Sequence, residues 1–153
     1  MERDFVTEWM RGFAEGLSAL DAPDREGLLA CCARRCAQTG VTAAHKRLFA
    51  EVGGDRDEYF RRLKKLGNVC GEVVTPGREY RVIFPECGCD LHTDFGVDTP
   101  CLCECSRQSI LYVQKCLGAE NVVVEELQTV LSGASDCRFR VLFPDGKGEG
   151  MER

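Results

Sequence analysis

A chain of 153 residues, 44% hydrophobic and 29% charged, has the length and composition of one globular domain with a sizeable core. No apolar run nears the roughly 18 residues that a membrane span needs, so no membrane partner is expected. A net charge of −5 argues against nucleic acid as a principal partner, because phosphate binding usually comes with a basic surface.

The opening MERDFVTEWMRGF is charged and amphipathic and has no signal-peptide apolar region, so a cytoplasmic location is expected. Over residues 4–20, Phe5, Trp9, Phe13, Leu17 and Leu20 recur at helical spacing, which predicts one apolar stripe for core packing or for lining a pocket. Asp21-Ala22-Pro23 signals a second helix, running to about Gln38 and stopped by Gly40. Its Arg34-Arg35 pair, like Lys46-Arg47 and the Arg61–Lys65 run, lies beside acidic residues and reads as a solvated face. A third helix is expected from an N-cap at Thr42 to Gly53-Gly54. A fourth starts at Asp55 with Glu58 three residues on, docks through Tyr59, Phe60, Leu63 and Leu66, and ends at Gly67-Asn68.

The period then switches from helical to alternating. Residues 69–75 and 79–84 flank Pro76-Gly77, which predicts a hairpin. A long connection over 85–105 leads to a helix from about Ser106 to Leu117. A second hairpin follows, 121–131 and 136–143, in which Cys137, Phe139, Val141 and Phe143 share one face while Arg138 and Arg140 point the other way. The expected fold is a single α+β domain over 1–143, with a four-helix cap over 1–67 and a ββαββ antiparallel sheet layer over 68–143. The closing PDGKGEGMER, residues 144–153, reads as a flexible tail.

The chain carries 11 cysteines, and their placement is its strongest chemical signal. Five of them, Cys87, Cys89, Cys101, Cys103 and Cys105, fall within nineteen residues, as a Cys-x-Cys pair on either side of an eleven-residue interval and one further cysteine. A connection this long is usually functional or held by something. In a reducing compartment such a group points to metal binding or redox chemistry rather than to a disulfide framework. Thiolates are soft ligands, suited to zinc or an iron–sulfur centre. Alternate residues of an extended strand stand ~6.6 Å apart, so Cys101, Cys103 and Cys105 cannot all bind one zinc without a bend. The expected set for a single metal therefore takes two sulfurs from Cys87/Cys89 and two from the later three. His92 inside the loop could replace one. Cys103 and Cys105 lie just before the expected helix, where its dipole would favour a thiolate acting as ligand or nucleophile.

Cys31, Cys32 and Cys36 form a second group. Cys32 and Cys36 are four apart, on one helix face, a spacing that can chelate metal; small buried core residues are the alternative. They join the loop only if the fold brings them against it. Cys70, Cys116 and Cys137 are isolated in regular elements and read as core. No Ser-His-Asp order, phosphate-cradling glycine loop or dinucleotide fingerprint is present.

The stretch VVVEELQTVLSGASDCRFRVLF, with Glu126, Gly133, Cys137 and Phe139, resembles the end of the 4-vinyl reductase-type small-molecule-binding domains, and is similar to the end of aminothiazoline-carboxylate hydrolase-like proteins. The resemblance covers about twenty residues. It implies a ligand-sensing or hydrolytic α+β domain, sometimes with zinc held by Cys and Glu. The family's cysteine shortly after the glutamate is absent here, where Thr129 stands. Taken together, the sequence predicts a metal-binding domain, zinc or iron–sulfur, with a small-molecule pocket between helices and sheet. A metal- or thiol-dependent hydrolase or redox enzyme, and a reversible-disulfide thiol sensor, are the alternatives.

Overall fold

The computed structural model describes residues 2–145, with side chains from residue 5 onward. The fold is α+β: helices α1 (Glu2–Ala19), α2 (Ala22–Ala37), α3 (Val41–Glu51) and α4 (Arg56–Arg61) precede strands β1 (Cys70–Thr75) and β2 (Glu79–Phe84). The cysteine-rich connection carries a short helix α5 (Asp90–Thr93) and leads into α6 (Glu104–Cys116), after which β3 (Val123–Gln128) and β4 (Cys137–Leu142) complete one antiparallel sheet of order β1-β2-β4-β3. Pairing of β2 with β4, from Glu79 opposite Leu142 to Phe84 opposite Cys137, joins the two expected hairpins into a continuous layer.

Local signals account for most boundaries. Asp21 caps α2 by accepting the Asp24 N–H (3.1 Å), and Asp55 caps α4 by accepting the Glu58 N–H (3.1 Å). Removing the first cap with Asp21→Ala is expected to cost ~1 kcal/mol, read as a fall in the urea midpoint with an unchanged slope. The α3 start differs from expectation: Gly40 takes the cap position, and the Thr42 hydroxyl donates backward to the Ala37 carbonyl (3.0 Å). Gly77 holds φ 76°, the left-handed conformation that the β1–β2 turn requires, and its N–H donates to Asp57 (3.0 Å).

One face of the sheet carries the main core. Tyr80, Val82, Phe139, Val141 and Phe143 pack against Tyr59, Phe60 and Leu63 from the end of the helical cap, all buried. Phe60 stacks on Tyr80 with ring centroids 4.2 Å apart, and the Arg56 guanidinium lies 4.1 Å from the Phe143 ring centroid, a cation–π contact in a desolvated setting.

The apolar stripe expected along α1 is only partly buried. Leu17 and Met10 are buried and Phe13 is half-buried, whereas Phe5 and Trp9 are 71% and 60% exposed. A step of four residues overshoots a helical turn by about 40°, so over three steps the stripe rotates off the packed side. Met10 and Leu17, seven apart, hold the buried line, and Met10 packs with Val97 and Leu102 of the cysteine loop. Of the tail expected over 144–153, residues 146–153 lie outside the described residues, while Asp145 accepts a hydrogen bond from Asn121 (3.3 Å).

Candidate metal centre

The cysteine loop is more ordered than a bare connection. Cys89 occupies the cap position of α5 with no side-chain capping bond, and its carbonyl accepts the His92 and Thr93 N–H groups (both 2.9 Å). The His92 Nδ1–H donates to the Val97 carbonyl (2.9 Å), which ties the α5 turn closed. Thr99 then accepts the Cys101 N–H (3.4 Å) and Pro100 opens a 3-10 turn, Pro100–Cys103, that runs straight into α6. As a result α6 begins at Glu104, two residues before the expected start, and Cys105 sits in its first turn rather than ahead of it. The Ser18 and Thr99 hydroxyls (2.9 Å) fasten the loop to α1.

None of the eleven cysteines, all among the described residues, is in a disulfide. The five loop thiols divide. Cys105 interacts electrostatically with Cys89, Cys32 and Cys36, and Cys89 with Cys87 and Cys36. Cys103 interacts with Glu126, Cys137 and Cys87, and Cys137 with Cys87. Cys89 and Cys105 thus have α2 thiols among their neighbours and Cys103 has Cys137 of β4; Cys103 and Cys105 stand at the end of the 3-10 turn and in the first turn of α6, where residues two apart face about 200° apart. Cys101 joins neither group. It lines a pocket of about 140 Å³ with Ala22, Arg25, Glu26, Glu104 and Glu126.

The helix α2 is placed by two contacts with α6. Glu26 lies 3.9 Å from Arg107, and the Gln38 amide donates to the Tyr112 hydroxyl (3.2 Å). Between those points Leu29, Ala33 and Ala37 are buried, while Cys32 and Cys36 border that buried stripe and are exposed. Cys32 and Cys36 therefore stand exposed at the edge of the α2–α6 seam. Cys31 lies about half a turn away from the buried stripe and is exposed. Cys70 and Cys116 take no part. Cys137 is buried, and its sulfur accepts the Val130 N–H (3.3 Å).

Electrostatics at the site oppose bare thiolates. Burial, together with the neighbouring thiols, pushes the Cys105 thiol up to about 12 and that of Cys103 up to about 11; Cys89 and Cys137 are raised for the same first cause. The helix-dipole argument for a reactive thiolate at Cys103 or Cys105 is outweighed by desolvation. Glu126 is raised by burial and by Glu104 across the pocket, while Glu104 itself is held by Arg107 (2.6 Å). The Arg25 guanidinium on the pocket wall donates to the Leu17 and Leu20 carbonyls (3.2 and 2.6 Å), closing the C-terminal end of α1.

A single zinc with ~2.3 Å bonds to sulfur requires its sulfurs within ~3.8 Å of one another. Among the described residues no three Cys, His, Asp or Glu side chains are drawn together tightly enough to hold one metal ion. The thiols fall into two groups that share Cys87. No protein-family model matches the chain, and no curated protein matches its sequence.

Proposed function

We propose that this chain is a cytoplasmic soft-metal-binding domain, with zinc or an iron–sulfur centre ligated from the cysteine loop. The observation that carries the reading is the crowding of loop thiols with other cysteines, Cys105 with Cys89, Cys32 and Cys36, and Cys103 with Cys137 and Cys87. The donors are drawn from Cys87, Cys89, Cys101, Cys103 and Cys105. Cys101 stands at the rim, where the polar pocket gives a small ligand a route of approach. Metal bonding would hold together a connection whose own apolar cluster is small, built among the described residues on Met10, Val97 and Leu102. The resemblance of the C-terminal hairpin to small-molecule-binding domains, through Glu126, Gly133, Cys137 and Phe139, supports the pocket as part of the function.

Metal analysis of protein purified without oxygen tests this reading. Native protein is expected to carry stoichiometric zinc or iron, and replacement of Cys87, Cys89, Cys101 and Cys103 by Ser is expected to abolish it. Native protein without stoichiometric metal would overturn the reading. A reversible-disulfide thiol sensor is the second reading, favoured by the same adjacency of reduced thiols. It requires metal-free protein to lose thiols on mild oxidation and regain them with reductant.

A further inference from the structure

We infer that the outward face of α1 is a docking surface for a second copy of this chain, the two α1 helices pairing antiparallel with the aromatic rings of each seated on the glycines of the other.

The face is defined by what α1 leaves open. The helix packs on the body through Met10, Phe13, Ala14 and Leu17. Phe5, Trp9, Gly12 and Gly16 are exposed, and they follow one another at steps of four, three and four. On a helix those positions fall within about 60° of one another and turn away from the packed side, which is the spacing of the seam in a helix pair. The Trp9 ring is stacked on Phe13, with centroids 6.1 Å apart and planes 7° from parallel, so it is held before any partner arrives. At Gly12 and Gly16, by contrast, an added Cβ would meet nothing within 4 Å. The first half of the seam carries rings and the second half bare backbone.

That asymmetry names the occupant. In an antiparallel pair the seam of one helix meets the other in reverse order. A single register, about a two-fold axis between Trp9 and Gly12, sets Phe5 opposite the second copy's Gly16 and Trp9 opposite its Gly12. Every ring then meets a glycine. A parallel pair would set ring against ring and leave a gap between the glycines.

Area and charge agree with a second copy. Phe5, Trp9 and Val6 are 71%, 60% and 36% exposed, and the two rings alone leave roughly 250 Å² open per chain. Two such seams, with Val6, Phe13 and the glycine backbone, come to about the ~1,000 Å² at which an interface becomes specific. The dimer is accordingly weak and reversible, and the dilute chain is a monomer. Surface helices that lie on membranes are rich in Lys and Arg on the polar face. Among the described side chains of α1, Arg11 is the single base and is paired with Glu8 (2.6 Å), while Glu15 adds a further negative charge.

The test follows the full chain, with reductant present so that no disulfide contributes, by sedimentation equilibrium and by the emission of Trp9, its sole tryptophan. From micromolar to millimolar concentration the mass is expected to double from 17.0 kDa while the emission moves to the blue. Trp9→Ala is expected to weaken association about thirtyfold or more. Gly12→Trp is expected to abolish it, because the added ring meets Trp9 of the other copy. A mixture of these two variants is expected to associate, since every ring then faces a small residue, and this rescue also shows that both variants are folded. A wild-type chain that stays monomeric throughout, a dimer that leaves the Trp9 emission unmoved, or a mixture no more associated than its parts would overturn the inference. So would a monomer whose emission turns blue on neutral phosphatidylcholine vesicles, which assigns the face to a lipid surface instead.

Discussion

Gly71→Ala is expected to destabilise the domain by about 3 kcal/mol or more, whereas Gly12→Ala is expected to be neutral or to stabilise it by roughly 0.5–1 kcal/mol. Gly71 lies in β1, opposite Val82 of β2. A Cβ added there would fall on the Phe60 carbonyl oxygen, 2.9 Å from the carbonyl carbon and 3.0 Å from Leu63 Cδ1. The first two atoms belong to the backbone of α4, whose position is fixed by the burial of Tyr59 and Phe60 in the main core. Neither side can retreat without parting the helical cap from the sheet. Gly12 lies in α1 with nothing near its would-be Cβ, so alanine there only removes backbone freedom from the unfolded chain. Urea titrations of the two variants check the contrast. Equal midpoints would show that β1 does not approach α4 as closely as described.

Gly71 also marks what a sequence read alone leaves out. Its glycine looks like an ordinary weak point in a strand until the cap is seen to press its backbone against it. Elements set by local chemistry were legible. The α2 and α4 caps at Asp21 and Asp55 form as expected, and Cys137, Phe139, Val141 and Phe143 are buried on one face of β4 and beyond. The pairing of β2 with β4 was not legible, because nothing local to either hairpin specifies which of its edges meets the other. The exposed Trp9 arises from the same limit: a periodic stripe says which residues share a side, and the partner decides how far along the helix that side stays covered.

For the candidate site, the cysteine spacing identified the loop but not the turns that orient its sulfurs. The stretch from Cys101 to Cys105, read as extended, is a 3-10 turn running into α6, so residues two apart there face different ways. The four-residue spacing of Cys32 and Cys36 was visible in the sequence. What it could not show is that α2 packs through Leu29, Ala33 and Ala37 and leaves both cysteines exposed. The Glu126 region follows the same rule. Thr129 stands where the resembling domains carry a cysteine, yet the buried Thr129 is bonded to Ser132 and lies beside Cys103, which reaches that neighbourhood from a different part of the chain.

Acid is expected to destabilise the wild-type chain through His45, and His45→Gln is expected to flatten that part of the loss. The His45 ring is mostly buried, with its Nδ1 2.7 Å from the Tyr59 hydroxyl, and the Gln114 amide donates to the same hydroxyl (3.2 Å). With its oxygen accepting from Gln114, Tyr59 can donate its own proton to a bare Nδ1 of His45, the arrangement that a neutral ring permits. Protonation would both charge a desolvated ring and remove the acceptor. Burial accordingly lowers the His45 pKa from 6.5 to about 4. The unfolded chain therefore binds this proton first as pH falls. Stability from the neutral ring is fully present above pH 6.5, declines between 6.5 and about 4, and is level below that, a loss of up to ~3 kcal/mol. Glutamine preserves a carbonyl acceptor for Tyr59 but has no proton to gain. Carboxylates elsewhere contribute to the acid slope of both proteins, so the difference between the wild-type and H45Q curves isolates the ring. Urea midpoints measured through that pH interval supply both curves. Parallel curves would mean that His45 titrates alike in the folded and unfolded chain, and that Tyr59 does not depend on it for a partner.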